Sequence, residues 1–303
     1  MGIPESQLEI WSQQGAVAAA EATYRSIRQA LSGSTFPIRE KDFEVYLHGS
    51  YKNRTNIRGD SDVDVVAQLN SPFRTDLSAL SESEKALQRS SYHRPAYQWD
   101  DFTADVLHAL RAYYGSSKVW ETTRSLRIAG GPRRLPSDVV TCLQYRKYER
   151  FRSMGDQRFT EGIIFYALKE NRWLINFPKL QYQNGVGKNS QTRAGGRYKP
   201  TVRVFKNART YLVDHGAIAE DLAPSHLLEA LLYSVPDECF AATYQKIFLD
   251  AIGWLTKSFG NGRYQSFLRQ HEQLALFGDT PDQWARDRAM ALLQSLLELW
   301  KDW

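Results

Sequence analysis

An α+β fold is expected of this 303-residue chain. A first lobe (residues 1–200) would carry a small mixed sheet behind a long N-terminal helix. A mainly helical second lobe (201–303) would follow, with any functional site in the cleft between them. Three observations predict this. Short alternating or valine-rich runs, the signature of strands, crowd the stretch before about residue 180. Apolar residues at helical spacing dominate from Thr201 to the C-terminus. Between the first two strands runs "HGSYKNRTNIRGDSDVDVV" (His48–Val66), with Gly-Ser at one end and aspartates at every second position at the other.

The elements follow in order. Apolar spacing predicts one long helix from about Ser6 to Leu31, carrying Leu8, Trp11, Tyr24, Ile27 and Leu31 and ended by "SGS". "DFEVYLHGS" alternates Phe43, Val45 and Leu47 with polar neighbours, and "DVDVVAQL" is the next strand, pairing with the first through the polar loop. Asp101 to Tyr114 reads as an amphipathic helix stopped by Gly115. "KVWETTRSLRIAG" and "RRLPSDVVTCLQYR" read as two more strands, and "GIIFYAL" with "RWLINFPK" as a hairpin. "YQNGVGKNSQTRAGGRYKP" (Tyr182–Pro200) reads as a loop, either solvated or gating a substrate. Four helical patterns complete the chain: "VRVFKNARTYLVDHG", "SHLLEALLYSV", "CFAATYQKIFLDAIGWL" and "PDQWARDRAMALLQSLLELW". The tryptophans read as core.

Composition narrows the function. Hydrophobic residues make up 42% and charged residues 24%, an ordinary globular balance. No apolar run is long enough to span a membrane, and no secretory leader is read at the N-terminus. Cys142 and Cys239 form no disulfide framework and no metal-ligand spacing, which suits a reducing cytoplasm. The net charge is +5, but nine basic residues and no acidic one lie between Asn171 and Val213. That stretch suits a polyanionic partner, either a triphosphate or nucleic acid.

The aspartates carry the chemistry. Residues two apart on a strand face the same way, so Asp62 and Asp64 project together while Val63 and Val65 pack behind them. Like charges that close repel one another, and a divalent cation is the commonest remedy. Mg²⁺ prefers hard oxygen ligands and leaves positions for substrate phosphates. Two-metal phosphoryl transfer needs a third carboxylate, and Asp138, opening the valine-rich "SDVVTCL" strand, is the best candidate. Asp60, after Gly59, reads as a loop residue. Gly49 permits close backbone approach to a phosphate, and Ser50 can add a hydroxyl and an N–H.

Gly-Ser followed by Asp-Val-Asp resembles the polymerase-β-type nucleotidyltransferase superfamily. "DVVTCLQYRKY", "INFPKLQYQNGVGKN", "YKPTVRVFKNAR" and "PSHLLEALLYSVPD" narrow the resemblance to the bacterial cGAS/DncV-like nucleotidyltransferases, from about Val45 to the C-terminus. That family makes cyclic di- and trinucleotide messengers from NTPs in anti-phage defence, and within it the chain looks closest to a pyrimidine-using clade. The resemblance implies two Mg²⁺ ions (or Mn²⁺ as substitute) shared by Asp62 and Asp64. Asp138 would hold the catalytic ion and help deprotonate the attacking hydroxyl. Gly49, Ser50, Arg203, Lys206 and Ser225 would contact the triphosphate. An Asn of "INFPKLQYQNGVGKN", with Asn184 ahead of Asn176, would read uracil. The implied partners are UTP and ATP as substrates and a downstream effector for the product. The implied protein is a cytoplasmic monomer that needs neither membrane nor nucleic acid. The same carboxylates also serve enzymes that modify RNA ends or a small-molecule acceptor, which stands as the alternative.

Overall fold

The computed structural model describes residues 2–33, 37–58, 62–93, 95–132 and 134–303. The chain forms two compact units. One comprises Met1–Gly15, Asn53–Asp60 and Gln181–Trp303; the other comprises Ala16–Lys52 and Ser61–Leu180. The units interleave, unlike the single boundary expected after residue 200. Late helical residues draw early chain into their unit: Arg203 Nε donates to the Ser12 carbonyl at 2.5 Å and Asn207 Nδ2 to the Trp11 carbonyl at 2.9 Å.

The predicted single N-terminal helix is two, α1 (Glu5–Ser12) and α2 (Ala18–Ser32). Gly15, in the break, approaches the chain so closely that a Cβ would stand 2.5 Å from the Ile57 carbonyl oxygen. The Gly15 N–H donates to the Asn56 carbonyl at 3.0 Å, a partner outside any helix.

The unit built around strands, residues 16–52 and 61–180, holds a mixed sheet whose described strands number seven. Its strands are β1 (Phe43–Leu47), β2 (Val63–Asp76), β3 (Val119–Glu121), β4 (Leu126–Ile128), β5 (Ser137–Ser153), β6 (Asp156–Ala167) and β7 (Arg172–Asn176). The order is β1-β2-β5-β4-β3, with β6 pairing both β5 and β7. Among the described strands of this sheet, the β2–β5 pair is the parallel one and the others are antiparallel. β1 pairs with β2 as expected, and β6 with β7 forms the expected hairpin. "KVWETTRSLRIAG" makes a two-stranded turn-back, β3 and β4, rather than one strand. A short helix, α3 (Gly49–Asn53), follows β1. The sequence reading missed α4 (Glu82–Ser91), although its capping box, Ser81 with Glu84, is plain in the sequence. The expected amphipathic helix is α5 (Trp99–Tyr114), and Gly115 ends it with φ +94°.

The two sheet faces differ. Val63, Val65, Ala67, Leu69, Val139 and Leu143 bury one face with Ile27, Leu31, Phe102, Val106 and Leu110 of α2 and α5. The other face carries a small apolar cluster, Val66, Cys142 and Ile163, with Tyr46 and Phe165. Alternation puts Asp64 and Asp138 on this second face.

The helical unit packs α1 with α7 (Tyr198–Asp214), α8 (Ser225–Ser234), α9 (Tyr244–Gly260) and α10 (Arg286–Asp302). Val202, Phe205, Leu227, Leu231, Phe248, Ile252, Leu292 and Leu296 lie in its core. The expected loop from Tyr182 begins instead inside α6 (Pro178–Lys188). Gly185 there serves close packing, since a Cβ would strike the Gln270 amide. The tryptophans are not core: Trp120, Trp173 and Trp303 are exposed and the others lie half-buried at its margin. Cys142 is buried and Cys239 half-buried, both free thiols. No helix among the described residues is long and apolar enough to cross a membrane.

Candidate active site

The sheet register assembles the carboxylates. Asp64 is the second residue of β2, and its partner across the parallel pair is Asp138 of β5. Asp62 immediately precedes β2. Asp60 lies outside the described residues. Gly49 closes one side of the group. Its φ is +65°, and a Cβ built there would overlap Oδ2 of Asp64 and stand 2.9 Å from its Cγ. Only glycine fits against that carboxylate in that backbone conformation. The Asp64 carbonyl accepts from the His48 backbone N–H at 2.8 Å, tying the Gly-Ser turn to the aspartate strand. Burial pushes the His48 imidazole down to about 4, so the ring is neutral at neutral pH. Ser50 is the second residue of α3, next to Gly49.

The repulsion among the aspartates already meets a positive charge. Arg127 of β4 is the cross-strand partner of Asp138. Its Nη2 donates to Asp62 Oδ1 at 2.8 Å and its Nη1 to Asp62 Oδ2 at 2.9 Å. The same Nη1 donates to Asp138 Oδ2, while Ser125 Oγ donates to Asp138 Oδ1 at 2.7 Å. Hydrogen bonding to Asp62 is the largest cause holding the Arg127 pKa above its ordinary value. The sequence reading missed Arg127. Its signal was alternation: Leu126 and Ile128 turn inward, so Arg127 turns to the carboxylate face.

Carboxylate oxygens are the donors that a hard divalent ion prefers, and Asp62 and Asp138 already share one cation, Arg127. The guanidinium shows that the spot stabilises positive charge. Among the described residues, though, no three acidic, imidazole or thiol side chains converge as a ready-made metal cage. Two of the carboxylates are turned to Arg127 instead.

The remaining expected site residues belong to the helical unit. Arg203 is buried, and besides Ser12 it donates through Nη1 to the Arg54 carbonyl at 2.5 Å. Lys206, 3% exposed, donates to the Thr55 carbonyl at 3.1 Å. Thr55 in turn donates to Glu229 at 2.7 Å. These two cations therefore fasten the segment that follows α3, and neither lies on a solvated helix face. Lys206→Met should leave the buried Thr55 carbonyl without its lysine donor, at a cost of about 1–3 kcal/mol. A thermal melt should show a drop of a few degrees; an unchanged Tm would contradict this role. Ser225 opens α8 and is half-buried. The basic stretch from Arg172 to Arg209 is largely spent internally. Lys179 pairs with Glu44 and Glu161, Lys188 and Arg193 pair with Asp237, and Arg197 and Arg209 bond to backbone carbonyls. The local charge excess thus overstates the basic surface available to a polyanion.

The two candidate base-reading asparagines differ in setting. Asn184 lies in α6, and its Nδ2 donates to the Gln270 carbonyl at 2.9 Å. Asn176 ends β7 opposite Ile163, on the face that carries Asp64 and Asp138. Its Oδ1 accepts from the Phe177 N–H at 2.8 Å. Between it and β1 the same face bears a polar network. Tyr46 donates to Gln68 at 2.8 Å, and Gln68 donates to Glu161 at 3.0 Å.

Comparison with known proteins finds relatives over the whole chain. The family described as cGAS/DncV-like nucleotidyltransferase C-terminal helical domain matches residues 183–301. The chain is 47% identical over 303 residues to a cyclic UMP-AMP synthase of Rhodothermus marinus (strain SG0.5JP17-172), covering 100% of this chain and 99% of that protein. It is 34% identical over 306 residues to a cyclic nucleotide synthase of Staphylococcus haemolyticus, covering 100% of both. Among solved structures it resembles the Rhodothermus marinus c-UMP-AMP synthase with Apcpp and Upnpp, with TM-score 0.88 and 46% identity over 99% of this chain and 97% of that one. Full-length identity at this level, on a sheet that pairs Asp64 with Asp138, shows that the chain belongs to the cGAS/DncV-like nucleotidyltransferases.

Proposed function

We propose that this nucleotidyltransferase joins UTP and ATP into a cyclic dinucleotide, releasing one pyrophosphate at each of two steps. In each step a ribose hydroxyl attacks an α-phosphorus. A P–O bond forms, the bond to the β-phosphate oxygen breaks, and the hydroxyl proton passes to base. The observation that carries the reading is the Asp64–Asp138 register beside Gly49, in a chain similar throughout to a cyclic UMP-AMP synthase.

Asp62, Asp64 and Asp138 would hold two Mg²⁺ ions, with Mn²⁺ as a substitute. When bound, the ions activate the attacking hydroxyl and neutralise the leaving pyrophosphate. Asp138 would take the hydroxyl proton. Gly49 and Ser50 would meet the triphosphate through backbone and hydroxyl. Arg203 and Lys206 act in this reading through the Arg54–Thr55 backbone that they fasten, and Ser225 keeps the phosphate role its family resemblance implies. The reading extends to an anti-phage signalling role for a monomer in the cytoplasm, whose product a separate effector recognises.

The test is incubation of pure protein with the four NTPs and Mg²⁺, then phosphatase. A phosphatase-resistant small product supports the proposal. Product that forms only on adding RNA or a drug-like acceptor would instead favour transfer to those acceptors.

Base choice has its own test. One feature supports Asn176 over Asn184 as the uracil reader: it stands on the carboxylate face. An amide offers donors and an acceptor, which match the uracil edge. With equimolar NTPs, Asn176→Ser should shift incorporation from UTP towards purines. Asn184→Ser should keep wild-type base ratios. If neither variant changes the ratios, neither asparagine reads the base.

A further inference from the structure

The carboxylates assigned to metal are already holding a cation of their own chain. Arg127 spans Asp62 and Asp138, three of whose four carboxylate oxygens it engages; Ser125 takes the fourth. The guanidinium is 25% exposed, beside carboxylates at 40% and 22%. Solvent screens such a pair, so the strength of this one comes from its planar fork matching two acids at once. Cross-strand pairing with Asp138 keeps Arg127 at the site. A metal ion approaching from water therefore meets a filled position.

We propose that Arg127 is the resident counter-charge of the metal-free enzyme, displaced from Asp62 and Asp138 when divalent ions load together with nucleotide. The proposal rests on the reading of the three aspartates as metal ligands. Its consequence is a coupling. Without nucleotide, the ions compete with a tethered guanidinium and bind weakly. A triphosphate changes both sides of the exchange. Its oxygens complete the coordination of the ions, and two of them can accept both arms of the released guanidinium. Arg127 would thus keep the carboxylates neutralised at rest and make metal binding conditional on substrate. It acts through the ligands and is a positioning residue.

The test measures Mn²⁺ affinity directly, by electron paramagnetic resonance of free Mn²⁺, with and without a non-hydrolysable triphosphate analogue. Without nucleotide, Arg127→Met should bind Mn²⁺ about tenfold more tightly than wild type, the change that a single charge-assisted bond commands. Arg127→Lys keeps the charge but loses the fork, and should fall between them; it decides the matter alone if the methionine variant does not fold. With the analogue present, the advantage of either variant should shrink. Variants that bind Mn²⁺ no more tightly than wild type would overturn the proposal while leaving the metal reading intact. Wild type that binds no more Mn²⁺ with the analogue than Asp64→Asn does would overturn the metal reading, and this proposal with it.

Discussion

Asp64→Asn should reduce product formation to a few percent of wild type or less, with thermal stability close to unchanged. The substitution keeps the shape that packs against Gly49 but removes the charge that a divalent ion requires. Asp64 and Asp138 are paired across parallel strands, so losing one carboxylate also relieves repulsion in the metal-free protein. Asp62→Asn should be as inactive, but it gives up the ionic fork to Arg127 and should melt slightly lower. Steady-state turnover and a melt in chelator check both variants. Turnover well above a few percent in either would remove that aspartate from the metal site.

Gly49→Ala should cost about a hundredfold in kcat, the scale of effect expected when a reacting group is displaced by about 1 Å. Two features set this. A positive φ of +65° strains any residue with a Cβ, and that Cβ would overlap Oδ2 of Asp64. The carboxylate must swing aside or the turn must shift, and either moves a metal ligand off the sheet face. Strain of this kind costs about 1–3 kcal/mol, so the protein should fold with a lowered Tm. Measuring kcat and KM separately checks the account, because a mere phosphate contact at Gly49 would raise KM and spare kcat. Near-wild-type kcat would show that the close approach to Asp64 is not needed.

Much of this site was legible in the sequence because strands announce their faces. Asp62-Val63-Asp64 displays its alternation, and "SDVVTCL" displays the strand that brings Asp138 alongside. What stayed hidden depended on which distant backbones meet. Arg127 becomes meaningful only once β4 lies against β5. Lys206 is expected to reach the phosphates, and nothing local shows that it also holds the Thr55 carbonyl. The helix break at Gly15 likewise answers to Ile57, far along the chain. Glycines misled in α6, where Gly185 serves close packing against Gln270 and marks no turn. The helix α4 is different: Ser81 and Glu84, its capping box, are a signal carried by the local sequence alone.

The most direct test of the central claim is the composition of the phosphatase-resistant product made from UTP and ATP labelled separately on their α-phosphates. One product should carry both labels in equal amounts, form only with a divalent ion and be absent with Asp64→Asn. A product that carries one label, that phosphatase degrades, or that survives Asp64→Asn would contradict it.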